Sequence, residues 1–176
     1  SEDLVYEFNE WGYRTKNIDD LDKDFALVFG CSYTEGIGLY QKDIWCEKLC
    51  KELDIDIFNL AKGGSSPCIS YMNTTLYVKN LIRYKPKLVI CQWPQAFRRT
   101  FSHLQEKSEK VIMADEYDLK MVGYNINTEA SNMDMSWFKD RWLKEDGEMY
   151  KESFFNFYST DILWKALDVP VYHWTW

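Results

Sequence analysis

The stretch Phe25 to Leu39, FALVFGCSYTEGIGL, constrains this chain more than any other. Phe25-Ala26-Leu27-Val28-Phe29 is an unbroken apolar run, the pattern of a strand buried on both faces of its sheet. Gly30 ends the run, Ser32 follows two positions later, and Gly36 and Gly38 precede a segment of helical character. A strand covered on both faces needs helices on both sides. A glycine-assisted turn then leaves the next side chains at the carboxyl edge, where open α/β sheets place their ligand sites. Any chemistry is expected there.

The rest of the chain reads as alternating elements. Residues 1–24 are polar and acidic; Asn9-Glu10-Trp11-Gly12-Tyr13-Arg14 reads as a turn carrying an exposed Arg, and Asp19 to Asp24 as a solvated linker. Ile44, Trp45, Leu49 and Leu53 fall at helical spacing, which predicts an amphipathic helix over 40–53. Ile55 to Leu60 is a second strand. It leads into Ala61-Lys62-Gly63-Gly64-Ser65-Ser66-Pro67, whose Ser-Pro ending marks a helix start running to about Ile82. Leu88 to Cys91 is a third buried strand, ending at Gln92-Trp93-Pro94. Residues 95–135 are irregular, an inserted excursion with a helix or hairpin. Ser136–Lys144 and Glu148–Leu167 read as helices and Val169–Trp174 as a last strand. Strand–helix–strand–helix–strand implies a parallel sheet with right-handed crossovers. We expect one three-layer α/β domain over residues 1–176, sheet order 2-1-3-4. It looks cut at both ends, starting at Ser1 without Met and stopping just after a strand.

Composition excludes several classes. Of 176 residues, 46% are hydrophobic and 17% aromatic, which favours a folded chain over disorder. The aromatic excess suits core packing, a partner surface or a sugar groove. A net charge of −7 argues against nucleic acid, since phosphate contacts need clustered Lys and Arg. The pair Arg98-Arg99 is either solvated or a contact for an anionic substrate group. No apolar run reaches membrane-spanning length and no signal-like N-terminus is present, so the expected location is cytoplasmic or virion-associated. Five cysteines without framework spacing point to a reducing compartment. Cys46 and Cys50 share a helix face, but no Cys-His set completes a zinc site. Without a G-x-G-x-x-G or a P-loop lysine, no cofactor and no metal are expected.

Three strand ends carry distinctive residues: Gly30-Cys31-Ser32, Gly63-Gly64-Ser65 and Gln92-Trp93-Pro94-Gln95. In a doubly wound sheet they lie together. A hydroxyl nucleophile needs donors aimed at the oxyanion that forms when it attacks a carbonyl. The backbone N–H groups of Ser32 and Gly64, with the side-chain amide of Gln92 or Gln95, are the candidates.

Gly30-Cys31-Ser32-Tyr33-Thr34 and Asn59 to Gly64 resemble the first two blocks of the SGNH (GDSL-like) hydrolase family. Asn9 to Arg14 is similar to an N-x-x-G-[FY]-R turn that precedes the first strand in many such proteins, including SGNH-like proteins of tailed phages and marine microbes. The resemblance implies a flavodoxin-like sheet, Ser32 as nucleophile, and hydrolysis of an ester, often a carbohydrate O-acyl group. It also implies oxyanion donors at Ser32 and Gly64. Two differences stand out. The third block has Gln92-Trp93-Pro94-Gln95 where the family carries Asn, and no D-x-x-H follows the last strand before Trp176. A Ser hydroxyl without a base is a poor nucleophile. His173, with Asp168 as its nearest carboxylate in sequence, is the candidate replacement; otherwise the base lies past Trp176. His103 is a weaker one. The alternative is a hydrolase-derived binding or structural module, such as a virion component, meeting a protein partner through exposed aromatics.

Overall fold

The computed structural model describes residues 4–96, 98–104, 119–124 and 146–175. In chain order its elements are β1 (Phe25–Phe29), α1 (Ser32–Glu35), α2 (Trp45–Glu52), β2 (Asp56–Asn59), α3 (Pro67–Leu81), β3 (Leu88–Trp93), β4 (Arg99–Leu104), β5 (Leu119–Tyr124), α4 (Asp146–Ala166) and β6 (Val171–Thr175). Short 3-10 turns lie at Ile18–Asp20 and Gln41–Asp43. The four strands β2-β1-β3-β6 form one parallel sheet in that order. The expected order 2-1-3-4 is therefore present, with β6 as the fourth strand of a flavodoxin-like α/β fold flanked by helices.

The two faces of β1 explain its uninterrupted apolar run. Phe25, Leu27 and Phe29 pack with Phe58, Tyr77, Leu81 and Trp164 beneath α3 and α4. Ala26 and Val28 point the other way, onto Ile44, Cys46 and Cys50. All five residues are buried, and each large side chain taken from water contributes about 1.5–3 kcal/mol. A strand with one wet face could not carry this sequence. Cys46 and Cys50 share the buried face of α2, and all five cysteines are free thiols.

Several local expectations are corrected. The helix predicted over 40–53 is broken at Ile44, whose backbone is extended at φ −65° and ψ 134°. That residue is fully buried against the sheet, and this anchor resets the chain between the 3-10 turn and α2. The third strand does not stop at Cys91: it continues through Gln92 and Trp93, which pair with Trp174 and Thr175 of β6. Arg14 is not exposed but buried, at 1%. In the irregular region β4 and β5 form an antiparallel pair; the helix predicted over 136–144 and the rest of the insertion lie outside the described residues. Ser66 occupies the N-cap of α3 with Pro67 in its first turn, as expected. Among the described residues no helix is long and apolar enough to cross a membrane.

Candidate active site

Register brings the ends of β1, β2 and β3 level: Val28 pairs with Asn59, and Phe29 with Cys91. Past those ends the loops are tied by Leu60 N–H to Val28 O (2.8 Å) and Lys62 N–H to Gly30 O (3.2 Å). Ser32 begins the single turn α1, with Cys31 at its N-cap and Gly36 closing it at φ +78°. Gly30 is glycine because α1 folds back on the strand end: a Cβ there would meet the Thr34 hydroxyl at 2.4 Å. The half-buried Ser32 lies directly beside the Gly63-Gly64 loop, where a Cβ on Gly63 would be 3.8 Å from the Ser32 Cβ. Two of the three expected strand ends therefore meet at Ser32.

The turn that carries Ser32 is held from every side. Arg14 donates through Nη1 to Gly36 O (2.6 Å) and through Nη2 to Leu39 O (2.8 Å), while its guanidinium lies 4.1 Å over the Tyr6 ring. The Asn9 carboxamide oxygen shapes the preceding turn by accepting from Trp11 N–H and Tyr13 N–H. Thus the N-x-x-G-[FY]-R segment is a clamp on the Ser32 turn rather than a surface turn. Asn59 Nδ2 donates to Thr34 O at 2.8 Å, and Trp45 Nε1–H donates to the Thr34 hydroxyl at 3.3 Å. The Glu35 carboxylate, nearly buried, accepts Gly63 N–H at 2.5 Å and has Lys62 Nζ 3.6 Å away. Glu35 staples the two loops together. It went unnoticed in the sequence, although its spacing from Ser32 puts both on one helix face.

Gln92 does not aim its amide at an oxyanion. As part of β3 it is fully buried, and its Oε1 accepts from Cys31 N–H (3.2 Å) and the Thr34 hydroxyl (3.0 Å). Its Nε2 donates to Trp93 O at 3.0 Å. It is a third clamp, fastening the Ser32 turn from beneath. Gln95, past the strand and half-buried, keeps its place as the side-chain candidate. Among the described residues, neither the Ser32 N–H nor the Gly64 N–H has a hydrogen-bond partner. Gly64 adopts φ +77°, a conformation glycine takes without strain.

His173 is held elsewhere. Its Nδ1 accepts the Trp93 indole N–H at 3.0 Å, and Nε2 lies 3.3 Å from Asp161 Oδ1. An indole nitrogen can only donate, so the neutral ring carries its proton on Nε2 and gives it to Asp161. Both nitrogens are occupied, and the carboxylate partner is Asp161 of α4, not Asp168. Burial pulls the imidazole below its ordinary value, against the opposing pull of Asp161. Lys165, bonded at 2.8 Å, holds the Asp161 carboxyl below the usual range. The ring also stacks on Trp93 and meets Phe157. His173 locks β6 to β3 and α4; it does not reach Ser32 as a base. The side chain of His103 lies outside the described residues.

A cavity of about 840 Å³ lies apart from Ser32, between the N-terminal segment, α2 and β2, and is lined by Thr15, Glu47, Cys50 and Asp56 among others. Neither Ser32 nor the Gly63-Gly64 loop borders it, so the candidate chemistry sits at the open edge of the sheet instead. Among the described residues no group of three or more His, Cys, Asp and Glu could hold a metal ion. Compared with family models, with curated proteins and with solved structures, the chain has no match.

Proposed function

We propose that the chain is a serine ester hydrolase of SGNH type, acting on an acyl ester such as a carbohydrate O-acyl group. The observation that carries this reading is the placement of Ser32 beside Gly63-Gly64, with the Ser32 and Gly64 N–H groups unpartnered among the described residues. Ser32 Oγ attacks the ester carbonyl carbon, and the carbonyl oxygen takes the negative charge between those donors, joined by Gln95. Collapse breaks the bond to the alcohol, which leaves with the serine proton; water then attacks the acyl-serine, breaking its bond to Oγ, releasing the carboxylic acid and restoring the hydroxyl. The clamps from Arg14, Asn59, Glu35 and Gln92 serve this chemistry by fixing the hydroxyl in advance. On this reading His173 is not the proton acceptor, since both of its nitrogens are engaged.

The same observation on His173 favours a second reading, a hydrolase-derived module that binds without turnover. A fluorophosphonate probe separates the two. Covalent labelling of the native chain, abolished in Ser32→Ala, supports the hydrolase. A folded chain that takes no label at Ser32 leaves the module.

A further inference from the structure

We propose that β6 and the adjoining face of α4 form a self-association surface, on which two copies of the chain pair β6 with β6 antiparallel across a twofold axis. The motive is a contrast between the two edges of the sheet. At β2, the Thr15 hydroxyl donates to Ile57 O (3.1 Å) and accepts Asn59 N–H (3.2 Å). The Asp56 carboxylate there also takes the N–H groups of Asp22 (2.8 Å) and Lys23 (3.2 Å). That edge is sealed by the chain's own N-terminal segment. At the other edge, β6 has β3 as its single strand neighbour among the described residues. Its sequence, Val171-Tyr172-His173-Trp174-Thr175, contains no Lys, Asp, Glu or Pro. Natural edge strands are guarded by charge, proline or cover, and an unguarded aromatic and β-branched edge is a template for another strand.

The helix above continues the same surface. Tyr150, Phe154, Tyr158 and Ile162 recur every four residues along α4 and are 67%, 66%, 54% and 49% exposed. The Phe154 and Tyr158 rings stack with centroids 6.0 Å apart. Asp161 fixes which way this stripe faces, because it reaches His173 on β6. At about 100° per residue, Tyr150 and Phe154 lie within about 20° of Asp161 around the helix, and Tyr158 within about 60°. The stripe therefore runs along the β6 side of α4, over the open edge. With Tyr172, 61% exposed, these side chains present on the order of 600 Å², the lower bound per partner for a stable interface.

The occupant follows from the sealed edge. Head-to-tail stacking would bring β6 of one copy against β2 of the next, where Thr15 and Asp56 already hold the edge. Pairing of β6 with its own copy takes up the edge that β6 leaves unpaired among the described residues of each chain, and closes the assembly as an isologous dimer. The operator that sets β6 antiparallel to its copy also lays α4 beside α4 in the same layer, so the aromatic stripes meet. Each chain carries −7, and Lys151 and Lys165 fall on the same side of α4 as the stripe. Added salt therefore screens the repulsion between copies and tightens the pair.

Sedimentation velocity of the 176-residue chain over about 1–100 µM, with Tyr158→Glu and Tyr172→Lys alongside, tests this directly. Both positions are exposed, so both variants should fold and match the parent's melting curve at concentrations where the parent is monomeric. Each places like charges near the twofold and should weaken the dimer at least about tenfold. A photo-crosslinker at position 158 in a mixture of light and heavy chains should give mixed-isotope products joining α4 to α4 or β6. A chain monomeric throughout, a dimer indifferent to both substitutions, or crosslinks confined to single chains would each overturn the proposal.

Discussion

Replacing Arg14 with Met tests whether the N-terminal segment truly holds the Ser32 turn. The substitution keeps an apolar stem against Tyr6 and removes the fork that joins Gly36 O at 2.6 Å and Leu39 O at 2.8 Å. Hydrogen bonds from a charged donor contribute about 1.5–3 kcal/mol each, so losing two costs about 3–6 kcal/mol before compensation. Two terms reduce that. The buried charge no longer needs desolvation, and the Nε, buried without a partner among the described residues, ceases to be a penalty of about 1–3 kcal/mol. The net expectation is a loss of about 2–4 kcal/mol, or roughly 5–15 °C in Tm for a domain of this size. Arg14→Lys should be no milder, because one ammonium cannot span both carbonyls and its charge stays buried. Urea unfolding followed by tryptophan fluorescence measures both variants. Hydrogen exchange should show the loss locally, with the Ile37 and Leu39 amides opening first. A Met variant within about 0.5 kcal/mol of the parent, or a Lys variant equal to it, would refute the clamp.

Three further outcomes are expected. Gly36→Ala must place a side chain at φ +78° with its Cβ 2.4 Å from Ile44, costing about 2–5 kcal/mol, whereas Gly12→Ala, at φ +76° with open space around it, should cost about 1 kcal/mol; denaturant midpoints in the reverse order would contradict the packing. His173 titrates below its ordinary value of 6.5 when folded, so the unfolded chain binds more protons from 6.5 downward, and the stability it supports falls with pH across the interval down to its folded value. Melting curves of the parent should drop through that interval while those of His173→Gln stay flatter, and parallel profiles would count against the neutral ring. Under native conditions a thiol reagent at pH 8 should modify half-exposed Cys68 quickly and buried Cys31, Cys46, Cys50 and Cys91 only as the chain unfolds; burial pushes the Cys50 thiol up to about 12, and a second fast thiol would break this expectation.

The architecture was legible because its signals are local. A five-residue apolar run, a glycine stop, and a Ser-Pro helix start each declare themselves within a few positions, and the strand–helix alternation then leaves few topologies. The site was half legible. Ser32 and Gly64 could be paired in advance because strand ends in such a sheet converge. The roles of Gln92, His173 and Arg14 were misread for one shared reason: each depends on partners 12 to 80 positions away. Gln92 looked like a loop residue because β3 seemed to end at Cys91, and only pairing with β6 extends the strand past it. Arg14 looked solvated because it stands in a polar, acidic stretch; its acceptors are the backbone carbonyls of Gly36 and Leu39, just past α1.

By itself the sequence determined the parallel α/β sheet, its strand order, and the meeting of a serine with a double-glycine loop, since periodicity and turn chemistry act over short range. Only the tertiary structure decided what the polar residues around that serine do. A buried donor or acceptor takes whichever partner the fold brings within about 3 Å, because leaving it empty costs as much as a lost hydrogen bond. That choice made Arg14, Glu35 and Gln92 the scaffold of the Ser32 turn, and it gave His173 to Trp93 and Asp161 instead.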